Sequence, residues 1–570
     1  MKHTFLFLSA AFLGGTFLMW RKHEPPADNV YKGRAIVYCA PSFDPGLLND
    51  SNAPLLDGLG KWDYRVSSSS EKAARYFNQG LALLYGFNHG EAGRSFKTAI
   101  RYDSTLAIGY WGVAMVLGPN YNAALNPTSL SDINAAIDKA VEYSKNALPH
   151  EQALIHALSK RFPREEAKDM APYYEAYAAE MKQAHEQFPG DAEIATLYAD
   201  ALMNLHPWNL WLKDGTAQPW TADIITLLES TLAKFPEHPG AIHYYIHATE
   251  ASQQASKARV YADKLGGIMP SAGHLVHMPS HTYIRTGDYH KGVLVNEAAS
   301  EADSNYIAQC KVQGAYPLVY YPHNIHFLAA CAFLEGNSRK ALDAAWMISR
   351  KADKQFMHQF TGVQHFSIIP YYMLVQLGKW KEILQLSSPS DSLLYPKAIW
   401  HYARGMAFSA MKQRPKAGQE LAAIRNIAAN ESLKTQLIWE MNSVSDLVHI
   451  ALHTLSGEML AADRQYDGAI ASLQQAVAIE DKLLYTEPPD WFFSVRLTLG
   501  HWLVQAKRFE EAEKVYQHDL FTFPENGWAL KGLYNSLKGQ GRRKEADAVK
   551  KRFDKAWQWA DIKLNSSRVY

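Results

Sequence analysis

The sequence predicts an all-α chain, a solenoid of stacked helical hairpins, and three observations carry that expectation. Alanine and leucine dominate the middle of the chain, whereas the Val/Ile alternation of half-buried strands is scarce. Glycine and alanine recur at a fixed interval of 12 residues, as Gly80 and Ala92, Gly405 and Ala417, Gly457 and Ala469, and Gly500 and Ala512. The whole pattern has a period near 34 residues, the length of a helix–turn–helix repeat. At 570 residues the chain exceeds one ordinary core, which a repeat array accommodates. A hydrophobic fraction of 47% with 12% aromatics excludes a disordered chain.

The N-terminus reads as an export signal. Lys2 and His3 precede an apolar run from Phe5 to Met19, right for a secretory h-region and short for a membrane span. Residues 1–23 are therefore expected to be a signal peptide, with an uncleaved anchor as the alternative because Arg21 and Lys22 follow the run. The expected location is extracytoplasmic, periplasmic or secreted, and membrane contact is expected only if that segment stays attached. Residues 24–70 are rich in Pro, Gly, Asp, Asn and Ser and read as an irregular lead-in. Ser67–Ser70 before Glu71 supply an N-cap and an acidic first turn for the first helix.

From residue 71 the repeats begin, and two arrays are expected, 71–397 and 398–570. In 76–104, Gly80, Ala92, Phe96 and Ala99 stand at intervals of 12, 4 and 3; Tyr516 and Pro524 complete the same pattern near the end. These residues resemble the tetratricopeptide repeat (TPR), in which small residues at positions 8 and 20 let the two helices of a hairpin approach closely. The blocks FNHGEA (87–92), YWGVAMVLGPNYN (110–122) and YTEPPDWFF (485–493) are similar to a set of exported bacterial TPR proteins of unassigned function. Two stretches break the period. HPWNLWLKDGTAQPW (206–220) reads as an inserted loop, a lid over the concave face; residues 305–322 delay the repeat that follows.

The charge balance of 58 basic and 57 acidic residues argues against a nucleic-acid partner held by phosphate neutralisation. Three cysteines, Cys39, Cys310 and Cys331, are too few and too scattered for a cysteine-based zinc framework. No Walker loop, dinucleotide fingerprint, HExxH or GxSxG motif occurs.

The chemistry lies in the histidines. The 121-residue window His206–His326 holds ten of the chain's 23. His243 and His247 are spaced i, i+4; His274, His277 and His281 are i, i+3, i+7; His323 and His326 are i, i+3. Such spacings place side chains on one helix face, and imidazole is the commonest metal ligand near neutral pH. In the repeat register that the TPR resemblance implies, helix A lines the concave groove at positions 2, 5, 9, 12 and 13. His243, His247 and Glu250 then fall at 5, 9 and 12; His274, His277 and His281 at 2, 5 and 9; His323 and His326 at 2 and 5; and His365 at 2. His290 falls off the groove, and His401 and His453 fall at position 4 and read as core residues. Pro279, between His277 and His281, should kink or restart its helix.

The expected site is therefore a mono- or dinuclear centre of copper, iron or zinc in the groove, held by His243, His247, His274, His277, His281, His323, His326 and His365. Glu250 is the expected catalytic residue, as a general base on bound water, with the role of ligand or of bridge between two ions left open. A small-molecule or peptide substrate would lie in the groove. Oxidative chemistry is slightly favoured over metal-assisted hydrolysis, because the ligand set is poor in carboxylates. A scaffold that binds a peptide or protein partner is the rival reading, and metal storage or delivery without turnover is a third.

Overall fold

The computed structural model describes residues 46, 48, 52–61, 63–310 and 316–569. The N-terminal apolar run, Cys39 and residues 311–315 of the second break lie outside the described residues. Cys310 and Cys331 are buried free thiols.

Helical hairpins follow one another along the chain, and the described residues contain strand only in the two-residue pairing of Leu437–Ile438 with Asn442–Ser443. The first hairpin shows how the sequence writes this. Ser70 caps helix Glu71–Tyr85 by accepting from the Ala73 N–H. Helix His89–Tyr102 then returns along it. Gly80 is the point of closest approach: a Cβ there would stand 2.6 Å from the Phe96 ring. Gly457 meets Leu473 and Gly500 meets Tyr516 in the same way, whereas Gly405 meets Leu455 of the following hairpin; the recurring glycines are residues over which packed helices touch. The spacing thus gives the hairpin contact that the TPR-like register requires.

Pro239 begins helix Pro239–Glu250 at its first turn, where the missing N–H costs nothing, and the His238 side chain accepts from the Ala241 N–H. Pro279 acts as expected: helix Gly273–His277 stops at Met278, and a second helix, Pro279–Thr286, starts beyond it. Gly287, with φ 79°, ends that helix in the left-handed conformation. The next histidine helix is Tyr321–Leu334.

The groove is not open. Every residue of helix Pro239–Glu250 is buried, because distant repeats close over it. Lys213, in the 206–220 insert, donates to the carbonyls of Glu480 (2.7 Å) and Leu483 (2.9 Å). Arg285 donates to the Thr522 carbonyl, Tyr289 to that of Pro524 and the Trp528 indole to that of Phe333. Two hydrophobic clusters result, one built from residues between Leu48 and Tyr320, the other from residues between Ile284 and Leu564. The histidines lie where they meet. Phe87 and Tyr320 of the first cluster contact His274, while Phe327 of the second contacts His277, His281 and His323.

Candidate metal centre

Six of the eight expected histidines come together as two triads. His243, His247 and His274 form one; His277, His281 and His323 form the other. In each, one nitrogen per imidazole lies within 4.8 Å of the others. Five of the six rings are buried, and His323 is partly exposed.

Hydrogen bonds fix which nitrogen is free. His243 Nδ1 lies 2.7 Å from the Tyr85 carbonyl, which can only accept, so that nitrogen carries the proton. His277 Nδ1 lies 2.6 Å from Asn296 Oδ1, whose orientation is set by its Nδ2 donating to the Gly292 carbonyl. Glu250 does the same for two rings at once: Oε1 accepts from His247 Nδ1 at 2.7 Å, and Oε2 accepts from His281 Nδ1. The Nε2 lone pairs of all four therefore point inward. Metal-binding histidines are oriented in this way by carbonyls and carboxylates on the far side of the ring.

The inward nitrogens face one another. His277 Nε2 and His281 Nε2 are 2.9 Å apart, and His243 Nε2 and His274 Nε2 are 3.2 Å apart. With both Nδ1 atoms of the first pair donating outward, two lone pairs meet, an arrangement that a proton or a metal ion between them would relieve. Bonds of about 2.0–2.1 Å to one ion keep two nitrogens within roughly 4.2 Å of each other, and both separations fall inside that limit.

Burial supplies the protonation state that a metal needs. It pushes His243, His274 and His277 well below the usual imidazole range, and the neighbouring rings push the same way. His323 is pushed down to about 3 and His247 is also lowered. Neutral imidazoles keep their lone pairs at neutral pH. For Glu250 burial acts upward, but His281 and His247 outweigh it, and the carboxyl is held well below its ordinary range. It is a carboxylate whose two oxygens are each engaged by an imidazole of a different triad.

A cavity of about 40 Å³ adjoins the triads, lined by His247, His274, His281, His323 and His326 together with Asn122, Trp208, Tyr320 and Glu487. One water needs roughly 10–15 Å³ of such space, so it holds about three waters or one very small molecule. Among the described residues, His247 Nε2, Asn122 Oδ1, Trp208 Nε1 and Glu487 Oε2 are buried without a hydrogen-bond partner. Buried polar atoms are seldom left so, and here they line one space. Trp208 comes from the insert, takes φ 55°, uncommon for a bulky side chain, and sets its ring edge-on to His247.

The remaining expected residues lie elsewhere. His326 lines the cavity but belongs to neither triad; Phe492 stacks on it, and His365 faces it across 5.7 Å between ring centroids. His365 Nδ1 pairs with the Tyr395 hydroxyl at 2.9 Å. His290 pairs with Glu335, and His401 with Glu420 at 2.5 Å, both away from the cavity. Tyr85, Asn296, Phe87, Phe327, Tyr485 and Glu487 were not anticipated. Three of them had a signal: Phe87 falls in the FNHGEA block, and Tyr485 and Glu487 in YTEPPDWFF.

No family model and no curated protein matches the chain. Solved structures similar to it include a human IFIT1 dimer with m7Gppp-AAAA, at 13% identity and TM-score 0.31, covering 87% of this chain and 91% of that one. Yeast Tom70 is 12% identical at TM-score 0.24, with 86% and 92% covered. The TPR domain of P58(IPK) is 14% identical at TM-score 0.18, with 85% and 98% covered.

Proposed function

We propose that this chain is a metalloprotein that holds two first-row transition ions, one in each histidine triad, and uses them in oxidative chemistry on a small substrate. The observation that carries this reading is the pair of imidazole triads, in which the Nδ1 protons of His243, His247, His277 and His281 are tied outward and their Nε2 lone pairs turn inward. Copper fits first, because the donors are imidazoles with no carboxylate in either triad and copper stands highest in the divalent affinity order; zinc and iron also accept such a set. Glu250 orients one ligand of each triad. The ions would supply Lewis acidity and, for copper or iron, electron exchange with dioxygen.

The protein, purified without a polyhistidine tag and dialysed against copper, should retain two ions per chain by elemental analysis. Copper-loaded protein should consume oxygen with ascorbate as reductant, and zinc-loaded protein should not. Retention of no metal at micromolar concentrations would remove the reading.

The scaffold reading would use a cleft of about 700 Å³ lined by Lys213, Arg285, Tyr485, Trp491, Arg496 and Phe521 among others. It could seat a peptide segment, and such binding would survive chelation.

A further inference from the structure

The inner cavity and the outer cleft share part of their lining. Thr486 and Glu487 line both spaces. Glu487 is 7% exposed, and its two oxygens are placed differently. Oε1 accepts from the Tyr485 hydroxyl at 2.8 Å, while Oε2 is buried with no partner among the described residues. The Tyr485 hydroxyl also lies 3.4 Å from Glu250 Oε2. The Tyr485 hydroxyl therefore stands between Glu250, which engages one imidazole of each triad, and Glu487, and donates to Glu487 at the shorter distance.

We propose that Glu487 is the proton-exchange group of the centre, passing protons between water in the inner cavity and solvent in the outer cleft. This rests on the reading of the triads as a metal centre, since it is a metal-held water that becomes acidic enough to give a proton near neutral pH. In the step, a water O–H bond breaks and the proton joins Glu487 Oε2. Hydroxide stays in the cavity and the carboxylate becomes a neutral acid. The acid then releases its proton to water in the cleft and returns to carboxylate, so no electron is exchanged. Such a group must lie within hydrogen-bond reach of the proton, directly or through one water, and a cavity for about three waters provides for that.

The electrostatics agree. Burial raises the Glu487 carboxyl to about 7; Arg285, the Tyr485 hydroxyl and His281 act against that, and Glu250 adds to it. Arg285 comes from helix Pro279–Thr286 and Glu250 from helix Pro239–Glu250, so charged groups on both elements face the carboxyl. A group poised near 7 gives and takes a proton with equal ease.

Cobalt(II) is the probe, because its visible spectrum reports ionisation of a bound water. Full-length protein, Glu487→Gln and Glu480→Gln are loaded with cobalt, their metal content is measured, and the spectral relaxation after a pH jump is timed. Glu480 lines the outer cleft only and is likewise raised to about 7, which makes it the control. Glu487→Gln should keep its cobalt and relax roughly 100-fold more slowly, Glu480→Gln should match the parent, and formate should restore the rate in Glu487→Ala. Relaxation of cobalt-loaded Glu487→Gln at the parent rate overturns the proposal alone. Loss of cobalt from Glu487→Gln also overturns it, making the residue a ligand or a prop. Failure of the parent to bind cobalt removes the metal reading and the shuttle together.

Discussion

The Trp211 indole N–H donates to the carbonyl of Ala248 at 2.7 Å, in the last turn of the helix that carries His243, His247 and Glu250. A carbonyl there has no partner further along its own helix, so the insert supplies what the helix end lacks. Trp211→Phe keeps a smaller aromatic ring and removes the donor. Urea unfolding should show a loss of about 1–3 kcal/mol, with faster release of bound metal to a chelator. An unchanged unfolding midpoint and release rate would mean that the insert does not hold this helix.

Substitution of single ligands should separate the triads. His247→Ala and His277→Ala should each lower metal content, by elemental analysis, from two ions per chain toward one. His401→Ala should leave it unchanged, because His401 pairs with Glu420 outside the site.

Glu250→Gln tests whether the carboxylate orients ligands or binds metal. An orienting role predicts retained stoichiometry with affinity lowered about 10- to 100-fold, read by competition with a coloured chelator. Loss of an ion outright would make Glu250 a ligand.

The repeats and their register were legible because hairpin contacts recur: Gly80 against Phe96 is repeated by Gly457 against Leu473, and a recurring contact leaves a recurring residue. The histidine faces were legible for the same reason. What the period could not show is which faces meet. His326 and His365 sit at groove positions like those of His277 and His274, yet belong to later repeats and face each other. Tyr85 offers a backbone carbonyl, which no residue type announces, and Tyr485 reaches Glu250 from 235 positions away. Pairings over such distances depend on how the repeats close, and a local pattern is blind to that.

Acid should weaken the metal-free protein through its buried histidines, and His365 isolates the effect. Burial pushes it down to about 3, against about 6.5 in an unfolded chain. Between those values the unfolded chain holds a proton that the folded chain lacks, so stability falls as pH drops through the window, by up to about 1.4 kcal/mol per pH unit. Asp490 and Glu480, raised to about 7 by burial, pull the other way, but they are common to parent and variant. His365→Gln should be the less stable protein at pH 7, and its deficit should shrink steadily between pH 6 and pH 4 in urea titrations. A deficit independent of pH would show that His365 titrates alike in both states.

Repeat arrays ordinarily tolerate gain or loss of a unit, since each repeat touches only its neighbours. Here the Tyr485 hydroxyl meets the Glu250 carboxylate, and the Trp528 indole meets the Phe333 carbonyl, across 235 and 195 positions. Adding or removing one hairpin anywhere between Glu250 and Tyr485 would carry the tyrosine past its partner and displace Thr486 and Glu487 from the cavity lining. The length of this array is thereby tied to the histidine cluster: the number of repeats sets which residues meet there.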